Sequence, residues 1–204
     1  FKTEDAMVRP QLTSGTHAIS TAFFGVLRPH DTLHYLTGMP YDTIQEVIGV
    51  AGNNPGTLEE HLINFSYTPL LDNGKVDYKR AKEDLQKDSS IKMVAIQRSR
   101  GYSSRDSFVV SEIAEMIKFV KKYAPQAIIF IDNCYGEFTE TEEPTFYGAD
   151  LMAGSLYKNA GGGIAKTGAF LVGNKDLIDR CGARLIVPGA GKNEGATYPF
   201  MRDF

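Results

Sequence analysis

Tryptophan is absent and cysteine is scarce, with only Cys134 and Cys181 in 204 residues. Two cysteines cannot build a disulfide framework, so a reducing, cytoplasmic setting is expected. No apolar run approaches the roughly 20 residues of a membrane helix. No block of basic residues occurs, and 22 Lys and Arg against 25 Asp and Glu leave a formal charge of −3. Neither nucleic acid nor an anionic membrane surface is therefore expected as the main partner. Internal repeats and low-complexity segments are missing too. What is there is an ordinary globular composition, 42% hydrophobic and 23% charged, long enough to bury a core without staples. The sequence starts at Phe1 and stops at Arg202-Asp203-Phe204. The expectation is one domain, residues 1–204, cut from a longer polypeptide.

Hydrophobic spacing alternates between two periods. Ala18, Ile19, Ala22, Phe23, Val26 and Leu27 predict a helix over 15–27, with Thr13 and Ser14 as candidate caps. Strands are predicted over 31–37 and 65–71, with helical spacing between them at Ile44, Val47 and Ile48. A polar helix is expected over 78–86, a strand over 93–96 and a long helix over 107–123. The segment 127–131 is almost wholly apolar, as a strand covered on both faces should be, and Asp132 ends it. Strands over 151–156 and 168–173 and a helix over 176–185 complete the pattern. Strands separated by helices predict an α/β fold: a three-layer αβα domain around a mostly parallel sheet. In such sheets ligands gather outside the carboxyl ends of the strands.

Four features fall at such places. Ser14-Gly15-Thr16-His17-Ala18 opens a helix, where exposed N–H groups and the helix dipole suit a phosphate, although an ordinary N-cap reads the same. Asp132 follows a buried strand, where an aspartate holds a protonated ring nitrogen, binds a metal or a ribose, or merely caps a turn. Lys158 follows another strand and precedes Gly161-Gly162-Gly163. In a partly apolar pocket such a lysine can have a depressed pKa and attack a carbonyl. Tyr41 sits in a loop, suited to stacking on a flat ligand or to plain packing. An anion nest, a stacking ring, an aspartate and a lysine are what pyridoxal 5'-phosphate requires of a protein. His30, His34 and His61 show no metal-ligand spacing, and no metal is expected. Arg98 and Arg100 read equally as ligand-facing or as salt-bridged.

Several segments carry a family resemblance: Arg9-Pro10-Gln11, Ser14-Gly15-Thr16-His17-Ala18, Gly38-Met39-Pro40-Tyr41-Asp42-Thr43, Gln97-Arg98-Ser99-Arg100-Gly101-Tyr102, Ile131-Asp132-Asn133-Cys134-Tyr135-Gly136-Glu137 and Ala153-Gly154-Ser155-Leu156-Tyr157-Lys158-Asn159. Over essentially its whole length the chain resembles the large domain of fold-type-I pyridoxal-phosphate enzymes of Cys/Met metabolism. It is most similar to the methionine gamma-lyase-like branch, also called aluminium resistance protein or the cystathionine beta-lyase family. The resemblance implies that Lys158 is the Schiff-base lysine and general base, and that Asp132 partners the pyridine nitrogen. It implies that Ser14, Gly15, Thr16 and Ser155 hold the phosphate. Tyr41 would stack on the ring and protonate a leaving thiolate if its pKa is lowered. Tyr157 stands where the wider group has threonine, and the segment around Ser99 lacks that group's Glu-x-Pro-x-Asn pattern. The resemblance also implies a homodimer or homotetramer with shared sites, and an N-terminal arm and C-terminal small domain outside this chain. The small domain would carry the arginine for the substrate carboxylate.

The implied activity is a carbon–sulfur lyase acting on cysteine-, cystathionine- or methionine-like amino acids by beta- or gamma-elimination. An aminotransferase, a racemase or a decarboxylase would use the same four groups. A cofactor-carrying binding module without turnover is the reading from outside enzymology. A nicotinamide-binding domain is disfavoured, because no Gly-x-Gly-x-x-Gly follows the first strand.

Overall fold

The computed structural model describes residues 1–194; the Arg202-Asp203-Phe204 end lies outside them. In chain order it contains β1 (Asp5–Arg9), α1 (Gly15–Val26), β2 (Thr32–Tyr35), α2 (Asp42–Ile48), β3 (Asn64–Tyr67), α3 (Tyr78–Lys87) and β4 (Ile91–Gln97). It continues with α4 (Val110–Tyr123), β5 (Ile128–Asp132), β6 (Leu151–Ser155), β7 (Ala169–Gly173) and α5 (Lys175–Leu185). A short 3-10 turn, Pro144–Tyr147, precedes β6, and a wide turn, Leu156–Ala160, follows it. The strands form one sheet in the order β1-β7-β6-β5-β4-β2-β3. The run β3-β2-β4-β5-β6 is parallel; β7 pairs antiparallel with both β6 and β1. The predicted three-layer, mostly parallel architecture is what the chain adopts.

Both faces of the sheet are covered. Along β4, Met93 and Ala95 pack with Phe23 of α1 and Ile178 of α5, whereas Val94 and Ile96 pack with Ile113 and Ile117 of α4. The same alternation sends Phe130 of β5 to the first side and Ile129 and Ile131 to the second. Helices α1 and α5 approach closely: a Cβ at Gly25 would stand 3.1 Å from the Cys181 Cα. Among the described residues no helix is long and apolar enough to cross a membrane.

Three local expectations are corrected. The strand expected over 65–71 runs over Asn64–Tyr67, because Pro69 has no N–H for the ladder; Leu70 pairs only with Val76. The helix expected from residue 107 starts at Val110. The Ser107 hydroxyl instead accepts from the Arg100 N–H (3.2 Å), and the Phe108 N–H donates to the Arg98 carbonyl (3.0 Å). β1 has no counterpart among the expected elements, since only Met7 of its five residues is buried and it carries no readable alternation.

Candidate functional site

The parallel strands all present their carboxyl ends on one edge, and the loops leaving β2, β4, β5 and β6 meet there. A cavity of about 550 Å3 lies among them. Thr16, Tyr41, Asp132 and Lys158, four residues singled out by the sequence, line it together with Cys134 and Tyr135.

Each side chain is placed by a local cause. Ser14 caps α1: its hydroxyl accepts the His17 N–H at 3.0 Å. The first-turn amides of Gly15 and Thr16 have no carbonyl one turn back to bond, and they carry the positive end of the helix dipole. Gly15 is required by close approach, because a Cβ there would stand 2.5 Å from the Cys134 Sγ and 3.6 Å from the Ser155 Cβ. Thr16 Oγ1 and the Tyr41 hydroxyl hydrogen-bond at 2.7 Å, and the Tyr41 N–H donates to Gln97 Oε1 at 3.1 Å. The end of β4 thus holds the Tyr41 loop against the start of α1. Burial, with the Asp132 charge adding to it, pushes the Tyr41 phenol well above its ordinary value. A lowered phenol, the condition set for leaving-group protonation, is not found.

Asp132 ends β5, and its Oδ1 accepts the Cys134 N–H at 3.1 Å. Burial raises this carboxyl; the Cys134 backbone and thiol and the Lys158 charge pull it the other way. Lys158 sits in the wide turn after β6, its Nζ 4.0 Å from the centre of the Tyr135 ring. Burial alone would lower the amine, but Cys134, Tyr135 and Asp132 outweigh it and the net direction is up. The depressed lysine that a partly apolar pocket can give is not found here, where the net direction is upward. Burial likewise pushes the Cys134 thiol up, so it is an inert wall rather than a nucleophile.

Ser155, the last residue of β6, is fully buried, and its Oγ has no hydrogen-bond partner among the described residues. Its N–H donates to Glu137 Oε1 at 2.9 Å. Among the described residues, an unsatisfied buried hydroxyl beside Gly15 marks a place where a polar ligand atom is needed.

Arg98 resolves to the salt-bridged alternative. Its guanidinium is buried, donating to Asn133 Oδ1 (2.8 Å), the Gly136 carbonyl (2.9 Å) and Glu140 Oε1 (2.5 Å), with Glu143 Oε2 at 3.6 Å. Arg100 lines the cavity. Tyr135 is one of the cavity residues to which sequence reasoning gives no role. Its only signal is its place in the Asp132-Asn133-Cys134-Tyr135 run. His34 is buried in hydrogen bonds to Ser66 and Thr68, and His17 accepts from the Thr13 N–H, with burial lowering its ring. A neighbouring cavity of about 640 Å3 shares Tyr41 and Arg100 but contains neither Asp132 nor Lys158.

The uncharacterized protein YnbB of Bacillus subtilis (strain 168) is 52% identical over 204 residues, which are 100% of this chain and 48% of YnbB. A Listeria monocytogenes protein of known structure, described as a proposed cystathionine beta-lyase involved in aluminum resistance, is 53% identical with a TM-score of 0.92. The match covers 96% of this chain and 49% of that one. The chain therefore spans about half the length of these relatives. The pyridoxal-5'-phosphate-dependent protein YhfS of Escherichia coli, at 20% identity and a TM-score of 0.64 over 89% of this chain and 43% of YhfS, shares the fold alone. The profile of one family, methionine gamma-lyase, matches residues 1–204. With that full-length match and relatives above half identity, the chain belongs to the methionine gamma-lyase family.

Proposed function

We propose that this chain is the pyridoxal-5'-phosphate-binding part of a carbon–sulfur lyase for sulfur amino acids. The observation that carries the reading is the meeting of Lys158 and Asp132 at one cavity, beside the start of α1. The residues fit the cofactor's three chemical demands. The Gly15 and Thr16 amides and the unpartnered Ser155 hydroxyl suit a phosphate. The desolvated Asp132 carboxylate suits a protonated ring nitrogen, since a cation there relieves the cost of burying the charge. The Lys158 amine suits the aldehyde.

Bound there, the cofactor supplies an electron sink for charge developing at the α carbon of an amino acid. Asp132 keeps the proton on the ring nitrogen. Lys158, once its nitrogen is free, takes the proton from the α carbon and returns it as general acid. Tyr41, fixed by Thr16 and Gln97, holds its ring in place and stays a neutral hydroxyl, a hydrogen-bond donor rather than a base. With sulfur leaving from the β or γ carbon, the products are a keto acid, ammonia and a thiol. A homodimer or homotetramer belongs to the same proposal; Tyr102 and Tyr135, exposed at the cavity, give apolar surface for a second subunit.

The test uses the complete gene product. Borohydride reduction in the presence of the cofactor should fix a pyridoxyl group on Lys158, found by peptide mass spectrometry, and Lys158→Ala should take none. A label on another lysine removes Lys158 from the role. Cysteine, cystathionine and methionine are then offered in turn. Keto acid plus thiol supports the lyase, and transfer of the amino group to an added keto acid replaces it by an aminotransferase.

A further inference from the structure

We propose that Tyr135 is a positioning residue for Lys158, its ring face holding the charged form of the amine beside the cavity. This rests on the reading of Lys158 as the attachment point for the cofactor. Three observations support it independently of that reading. The Lys158 Nζ lies 4.0 Å from the centre of the Tyr135 ring, within cation–π range. Tyr135 has a left-handed backbone, φ 70°, which a tyrosine seldom adopts, three residues after the strand that ends at Asp132. The Asn159 side-chain amide donates to the Tyr135 carbonyl at 2.7 Å, tying Tyr135 to the residue next to Lys158. Two contacts, one through the ring and one through the backbone, therefore fix the lysine turn on a single strained residue.

The consequence is chemical. The ring quadrupole stabilises ammonium and not amine. Capture of the cofactor needs the neutral form: the nitrogen adds to the aldehyde carbon, and its two hydrogens leave with the aldehyde oxygen as water. Tyr135 thus slows capture at neutral pH and, once Lys158 has taken a proton, helps to hold it there. The other ionisable groups around the amine are Asp132, Cys134 and Glu137, with Tyr41, Asp42 and Arg100 across the cavity, and the test leaves all of them in place.

The experiment follows the rate of pyridoxyl labelling of Lys158 by borohydride trapping, from pH 7 to 11, in cofactor-free complete protein. Tyr135→Asn removes the ring and suits the left-handed backbone, which protects folding. Tyr135→Phe keeps the ring face. At pH 8 the Asn variant is expected to label about threefold faster than the unaltered protein, a displacement of about half a pH unit. The Phe variant should stay close to the unaltered protein. The advantage of the Asn variant should narrow toward the alkaline end, as a growing fraction of the amine becomes neutral in every variant. An advantage that stays the same size from pH 7 to 11 means that the ring merely blocks access, and this overturns the proposal. Superimposed profiles overturn it as well. Absence of label at residue 158 in the unaltered protein overturns this inference and the proposed function together, whereas labelling with no Tyr135 effect overturns the inference alone.

Discussion

At residue 15 a missing side chain is a structural requirement. The Cys134 sulfur occupies the place where a Cβ would go, 2.5 Å from it. Both residues border the predicted phosphate position, so crowding there acts on stability and on the cofactor. Gly15→Ala is expected to cost about 1–3 kcal/mol in urea denaturation and to weaken cofactor binding. The double variant Gly15→Ala with Cys134→Ala should recover part of both losses, because the second change deletes the clashing atom. Strict additivity of the two single effects would show that they do not share the contact.

Among the elements, the turn after β5 is held by charge. The Arg98 guanidinium ties Asn133, Gly136 and Glu140 together, and Asn133 Nδ2 and the Phe138 N–H in turn donate to Glu143, each at 2.8 Å. Arg98→Met should lower stability by about 3–5 kcal/mol, measured by thermal or urea unfolding, because it leaves Glu143 buried without its cation. Arg98→Lys should not restore it, since a single ammonium cannot reach acceptors arranged around a planar fork. The strands of this region are readable in the sequence, because Met93–Ile96 and Ile128–Ile131 are apolar on both faces and bounded by polar punctuation. Asp132 and Lys158 are readable for the same reason: each stands where such a run stops. The Arg98 network is not, because it joins residues 35 to 45 positions apart through side-chain reach that no periodicity encodes. Tyr135 escapes for a related reason. Its ring is brought over Lys158 by a backbone angle, φ 70°, that tyrosine does not advertise.

At the scale of the molecule, acid stability turns on His34. It is fully buried in β2, and burial lowers its ring from 6.5 to about 4, against the opposing pull of Asp84 and Asp88. The unfolded chain therefore binds a proton near pH 6.5 that the folded chain refuses until about pH 4. Stability is fully present above pH 6.5 and falls by up to about 3 kcal/mol as the pH drops through that window. Unfolding midpoints followed from pH 7 to 5, above the carboxylate range, should slope downward in the unaltered protein. The slope should flatten in His34→Gln, and an unchanged slope in that variant would assign the acid sensitivity elsewhere.

The lining of the cavity comes from residue 16, from 41–43, from 99–102 and 107, from 132, 134 and 135, and from 157–158. These stations span most of the sequence, and they meet only once the β2, β4, β5 and β6 ladders have closed in register. Distant pairings of this kind make loop closure slow and leave no short stretch able to build the pocket early. During refolding, capture of the cofactor should therefore lag behind the recovery of helix signal and coincide with the slowest phase of sheet assembly.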